Sequence, residues 1–368
     1  MVIGFLKSTM ARRAAAWLGG MSLAWCAAFA YAADAPGVAT PGVATSGVAT
    51  PPANAASGPL RVVASFSILG DMTRQIGGED VQVDTLVGPD GDAHEYEPTP
   101  ADARALSAAQ LLVVNGLNFE TWLGRLVKSA NFKGATVVAS QGVQPRDFGA
   151  DDVAGQAAEA GVQGGGSAGR GAREGHDAHD AHGAHGAHDV HDAHTDPHAW
   201  QSLANGAIYA RNIGAALAKA DPAHADAYRQ RTDAYVARIE ALDKQVKQAF
   251  AALPPERRRV VTSHDAFGYF GQAYGVTFIS TMGISTDAEP SAADLARIID
   301  QVKREKVPAV FLENVSNPRL GQRIAHESGA KLGGTLYSDA LARPGLPAAT
   351  YLGMFQWNLS QFMAALKP

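Results

Sequence analysis

Short β-branched runs bounded by turn residues recur along the chain in two sets of four. The first set is Arg61–Ser65, Val81–Val87, Leu111–Asn115 and Ala135–Ser140; the second is Arg259–Ser263, Val276–Ser280, Ala309–Glu313 and Lys331–Tyr337. Helical periodicity separates most of them, over Ile68–Ile76, Thr99–Ala109, Glu120–Ala130, Ala266–Ala273, Ser291–Glu305 and Arg319–Ser328. Strands that alternate with helices predict parallel sheets covered on both faces, because a parallel connection must cross over through a helix. The fold class predicted is therefore α/β, with two lobes, each a four-stranded parallel sheet flanked by helices. One long rigid helix is predicted to join them. Asp221 supplies its cap and Pro222 its first helical position, where a missing N–H costs nothing. Tyr228, Tyr235, Ile239, Leu242, Val246, Phe250 and Leu253 then form one apolar stripe, and Pro254-Pro255 stops it. A rod that long, running beside both lobes, predicts small lobe movements.

These patterns divide the chain into a signal peptide over 1–32, a Gly/Pro/Ala tether over 33–59, and an N-terminal lobe over 60–221. The connecting helix follows over 222–253 and the C-terminal lobe over 254–368. Lys7, Arg12 and Arg13 precede an apolar run and the small-residue site Ala30-Tyr31-Ala32, which reads as export with cleavage. Cys26 follows Trp25, too bulky for a lipid-attachment site, so an unlipidated periplasmic protein is expected. The tether repeats PGVAT, PGVAT, SGVAT. A Gly- and Ala-rich stretch, then HDAHDAHGAHGAHDVHDAH, fills about 142–196 and is expected to be disordered.

Charge and cysteine content narrow the chemistry. Against 36 acidic residues stand 31 Lys and Arg, a net charge of −5 that lacks the basic excess of a nucleic-acid binder. A single cysteine excludes multi-cysteine metal sites and an intrachain disulfide framework. Of the 12 histidines, eight fall between His176 and His198. Any metal chemistry must run on imidazole and carboxylate.

In open α/β sheets, ligands bind beyond the carboxyl ends of the strands. That rule selects His94 after Val81–Val87, His198 after the long insert, His264 directly after Arg259–Ser263, and Asp339 after Lys331–Tyr337. Each alone has a plainer reading: a solvated loop histidine, a helix-start histidine, a core histidine, a helix cap. Their placement at equivalent ends of both sheets favours one interlobe site. Three imidazoles and a carboxylate make a closed tetrahedral set suited to Zn2+. His224 and His326 lack such placement and are expected to face solvent.

The stretches VVASFSILGDMTRQIGG, LVGPDGDAHEYEPTPAD, LLVVNGLNFETWL, DPHAWQSLANG, VVTSHDAFGYFGQAYG, AEPSAADLARII, FLENVSNPRL and TLYSDAL together resemble the zinc- and manganese-specific solute-binding proteins of bacterial metal ABC importers. The resemblance runs in order from about Leu60 to Pro368 and omits only the insert. It implies metal ligands at His94, His198, His264 and Asp339, a membrane permease with its cytoplasmic ATPase as partner, and a monomer; it also admits a metallochaperone. The chain is then a receptor for Zn2+ as transported ligand and not an enzyme. Manganese-type members carry glutamate at the third ligand position, so His264 points to zinc, whereas TLYSDAL also resembles manganese-type members and keeps Mn2+ open. Glu95 and Glu289 are expected as gate residues or as partners of the ligands. Weak, fast zinc capture is expected of His176, His179, His182, His185, His188, His191 and His194, against a solubilising or pH-responsive tract. A histidine-rich metal buffer and a periplasmic zinc hydrolase are the rival classes; the first predicts no single tight site, the second an open coordination position with a general base.

Overall fold

The computed structural model describes residues 58–147, 195–283, 286 and 290–367. The expected signal peptide, most of the tether, His176 through His194 and Glu289 lie outside the described residues.

Two parallel four-stranded sheets form the frame. The first contains β1 (Leu60–Phe66), β2 (Val81–Val87), β3 (Leu111–Val114) and β4 (Ala135–Val138), in the order β2-β1-β3-β4. The second repeats that topology with β5 (Arg259–Thr262), β6 (Thr277–Ser280), β7 (Ala309–Glu313) and β8 (Lys331–Leu336), in the order β6-β5-β7-β8. All eight expected strands are present, within a residue or two at their ends. The central strands β1 and β3 are almost wholly buried, as apolar strands covered on both faces must be.

In the first half the helices are α1 (Ser67–Gly77), α2 (Pro100–Ala108) and α3 (Leu123–Ser129). Thr99 and Asp102 close a capping box at the start of α2, where Pro100 takes the first turn. Between the sheets in sequence come α4 (Leu203–Ala220), a single 3-10 turn at Pro222–His224, and α5 (Ala225–Ala251). The second half has α6 (Gly268–Tyr274), α7 (Ala292–Arg304), α8 (Pro318–Ser328) and α9 (Tyr351–Leu366). No described helix is long and apolar enough to cross a membrane.

The long helix α5 has 27 residues, and its apolar stripe is buried from Tyr228 to Phe250 as the periodicity predicts. Its start differs. Asp221 does not cap it: the carboxylate accepts from His224 Nδ1 at 2.6 Å and from the Tyr228 hydroxyl at 2.9 Å, which bends the chain through a 3-10 turn first. Near that end, Arg231 binds the first half through Ile76 O at 2.6 Å and Asp80 Oδ2 at 2.6 Å. At the other end, Phe250 packs edge-on against Phe270 and Phe362 of the second half, each at 5.5 Å between ring centroids. The helix thus lies along both halves.

Two helices escape the periodicity reading. The buried face of α4 is built largely of Ala and Gly, and Gly214 has no side chain because a Cβ there would meet Thr232 Oγ1 of α5 at 2.0 Å. In contrast, α9 is apolar on most of its circumference because it is buried between the sheet and α5, so it has no polar face to reveal a period. Buried apolar residues of both halves, from Val62 and Phe66 to Phe311 and Leu336, belong to one continuous core; a smaller cluster around Val261, Ile299 and Ile324 underlies α7 and α8. Hydrogen bonds cross between the halves: Leu341 N to Ser67 Oγ at 2.9 Å, Tyr351 N to Asp71 Oδ2 at 2.8 Å, and the Tyr351 hydroxyl to Trp200 O at 2.6 Å.

The ends of the insert also differ from expectation. Residues 142–147 and 195–196, read as its margins, are part of the described fold. Val143 and Asp196 are buried, and Asp147 pairs with Thr195 in an isolated antiparallel bridge.

Candidate metal centre

Four strand ends converge where the halves meet. After β2 the chain turns through Asp90, which adopts positive φ, and Asp92 accepts from His94 N at 2.8 Å, so a short side-chain turn aims His94 inward. The His94 ring stands edge-on to Phe119 at 4.9 Å. His198 precedes the 3-10 turn Ala199–Gln201; the preceding Pro197 carbonyl is held by Asn115 Nδ2 at 2.9 Å, at the end of β3. His264 follows β5 directly, and its N–H together with that of Ser263 donates to Glu313 Oε1 at the end of β7. Asp339 follows β8. Its neighbour Ser338 is fixed through its carbonyl by Trp200 Nε1 at 2.9 Å and Gln201 Nε2 at 2.6 Å, contacts that tie the Asp339 loop to the His198 turn.

His198, His264 and Asp339 have no exposed surface and the His94 side chain is 7% exposed. One ligating atom of each lies within 4.8 Å of those of the others. His94 Nε2 is 3.2 Å from His198 Nε2 and 3.3 Å from Asp339 Oδ2; His264 Nε2 is 2.9 Å from Asp339 Oδ2, and His198 Nε2 is 3.7 Å from Asp339 Oδ1. Metal bonds of about 2.0–2.1 Å at tetrahedral angles put ligand atoms roughly 3.3 Å apart, so these separations are compatible with donors to one small divalent ion. Asp339 Oδ1 is buried without a hydrogen-bond partner, a lone-pair carrier that a cation would satisfy. The first half contributes two of the four groups and the second half the other two.

Carboxylates back two of the imidazoles. His198 Nδ1 lies 2.8 Å from Asp196 Oδ1, and His264 Nδ1 lies 2.7 Å from Glu313 Oε2; the first contact is an aligned hydrogen bond and the second a close charge contact without that alignment. Burial opposes a charged His264, yet Glu313 and Asp339 on either side outweigh it and hold its pKa well above the usual histidine value. Burial likewise raises Asp339, but His264 and His198 overcome this and hold it well below the carboxylate range. His264 and Asp339 thus each favour the charged form of the other.

The four expected ligands are together. Glu95 is exposed beside His94; Asp196 and Glu313 are the carboxylates behind His198 and His264. Neither was selected from the sequence, although DPHAW sets Asp196 two residues before His198 and FLENV ends a strand at Glu313. His224 and His326 are exposed, as expected; His224 serves Asp221.

The family described as zinc-uptake complex component A, periplasmic (ZnuA), matches residues 62–365. The chain is 31% identical over 316 residues to the manganese ABC transporter substrate-binding lipoprotein PsaA of Streptococcus pneumoniae, covering 85% of this chain and 90% of PsaA. Over 322 residues it is 31% identical to the iron ABC transporter substrate-binding lipoprotein MtsA of Streptococcus pyogenes, with 85% and 90% covered. Among solved structures, the periplasmic zinc-binding protein TroA from Treponema pallidum superposes with a TM-score of 0.69 at 27% identity, over 84% of this chain and all of TroA (100%). PsaA and MtsA are named as lipoproteins, which stands against the expectation of an unlipidated chain; Cys26 lies outside the described residues. The chain belongs to the ZnuA family, the substrate-binding proteins of metal ABC transporters.

Proposed function

We propose that this receptor captures Zn2+ through His94, His198, His264 and Asp339 and delivers it, outside the cytoplasmic membrane, to an ABC permease driven by a cytoplasmic ATPase. The observation that carries the reading is the donor set: three imidazoles and one carboxylate with ligating atoms within 4.8 Å of one another, His264 being the third imidazole. Nitrogen-rich, four-coordinate sites suit zinc, whereas manganese favours oxygen donors and a larger coordination number. The zinc-binding TroA supports the same reading, and PsaA and MtsA, named for manganese and iron, favour an oxygen-tolerant metal as the second reading.

Capture needs no covalent step. Each half offers two ligands, and only their approach offers four, so the ion favours the closed arrangement by its differential affinity for the two states. The continuous core and α5 keep that approach small. In the insert, histidines spaced every three residues from His176 to His194 supply two- and three-ligand sites weaker than the four-ligand cleft.

His264→Ala removes one ligand and leaves Asp339 without its nearest positive partner, so zinc affinity falls by at least about 100-fold in a chelator-competition titration; an unchanged titration removes His264 from the shell. Deleting residues 175–194, which spares the Asp147–Thr195 bridge, abolishes the weaker zinc equivalents and leaves one tight site; loss of the tight site contradicts the assignment of capture to the insert and binding to the cleft. For pH the sign follows from His264. Glu313 and Asp339 hold its pKa above the ordinary histidine value, so the ion competes with a proton there. Affinity therefore begins to fall as pH drops through that raised value, above the roughly 6.5 of an ordinary imidazole. Calorimetry in buffers of different ionisation enthalpy registers proton release on zinc binding; no buffer dependence contradicts this competition.

A further inference from the structure

His198 is held from behind by a structure that begins at the foot of the insert. Asp147 and Thr195 bridge the two chain ends, and Asp196 N donates to Arg146 O at 3.0 Å. The buried Asp196 carboxylate is divided between two partners. Oδ1 accepts from His198 N at 2.9 Å and lies 2.8 Å from His198 Nδ1; Oδ2 accepts from Arg146 Nη1 at 2.7 Å. Arg146 in turn rests on the second half: its backbone N–H donates to the Tyr269 hydroxyl at 3.1 Å and its guanidinium lies 5.8 Å from the Tyr269 ring centre. Both Gly268 and Tyr269 belong to α6, shortly after His264.

Gly268 is the residue that permits this packing. A Cβ added there would stand 1.6 Å from Arg146 Nη1 and 2.7 Å from Asp196 Oδ2. Any side chain would have to displace the ion pair. The guanidinium and carboxylate are almost fully enclosed, 10% and 1% exposed, so the displaced pair has little room to re-form nearby. An acceptor oxygen fixed against Nδ1 also has a chemical consequence. It holds the ring in the tautomer with hydrogen on Nδ1, leaving the Nε2 lone pair toward the other ligands, and it makes that nitrogen a stronger donor.

We propose that Arg146, Asp196 and Gly268 form a positioning clamp that sets the tautomer and aim of His198, and through it metal affinity, by docking the base of the insert onto the second half of the protein. The proposal rests on His198 being a ligand. None of the three clamp residues touches the ion; each acts through His198, and Gly268 acts by its lack of a side chain. The clamp spans the halves, so it contributes to metal binding only when α6 and the foot of the insert are in contact.

The test uses the whole chain and its Gly268→Ala, Arg146→Gln and Arg146→Lys variants. Zinc affinity is read by chelator competition, and the His198 tautomer by long-range 15N–1H spectra of metal-free protein at pH 8. In the unsubstituted chain His198 carries hydrogen on Nδ1. Gly268→Ala and Arg146→Gln lower zinc affinity about 10- to 100-fold at unchanged stoichiometry and shift the ring toward a tautomer mixture, and Arg146→Lys, which retains the charge on Asp196, recovers most of the loss. Should Gly268→Ala fail to fold, the two Arg146 variants decide the matter. Affinity and tautomer both unchanged in Arg146→Gln overturn the clamp, as does an affinity loss with an unchanged tautomer, which marks a packing effect alone. Failure of the ligand assignment looks different: the unsubstituted chain then has no tight zinc site, or His198→Ala binds zinc as well as the unsubstituted chain does.

Discussion

A carboxylate with no access to water needs a positive charge beside it, and Asp339 is such a carboxylate. Its oxygens face one imidazole from its own half and two from the other half, so whichever cation satisfies Asp339 also holds the halves together. Glu313 and Asp339 favour a proton on His264, and under the proposed ligand assignment the ion takes the place of that positive charge beside Asp339.

The rest of the fold keeps this arrangement in reach without locking it. Within each parallel sheet the strands end on one side, and the loops that carry His94, His198, His264 and Asp339 meet there. A shared apolar core and the full length of α5 join the halves. Tyr351 shows how tightly the parts are joined: its backbone donates to Asp71 and its hydroxyl to Trp200, whose indole in turn holds the loop of Asp339. Coordination by groups from both halves thus changes a contact surface that is already nearly formed.

Much of this was legible in the residues because the controlling patterns are local. Eight β-branched runs name the strands, and the strand-end rule places His94, His198, His264 and Asp339 without any knowledge of contacts. What escaped the reading depends on long-range packing. The Ala- and Gly-rich α4 and the all-round apolar α9 take their character from neighbours distant in sequence, as does the Asp221 carboxylate, whose ties to His224 and Tyr228 replace the expected cap. The same holds at the site. Glu313 reaches His264 from a neighbouring strand 49 positions away. Gly268 looks like any helix-start glycine until Arg146, 122 positions earlier, is found packed upon it.

The most direct measurement of the central claim is anomalous diffraction at the zinc edge from crystals of the zinc-loaded protein. The account predicts one strong peak where the strand ends meet, about 2.0–2.1 Å from an imidazole nitrogen of His94, His198 and His264 and from an Asp339 oxygen, with no water in the shell. A peak bonded to side chains of one half only, or an ion that keeps an exchangeable water in place of any of the four, would contradict it.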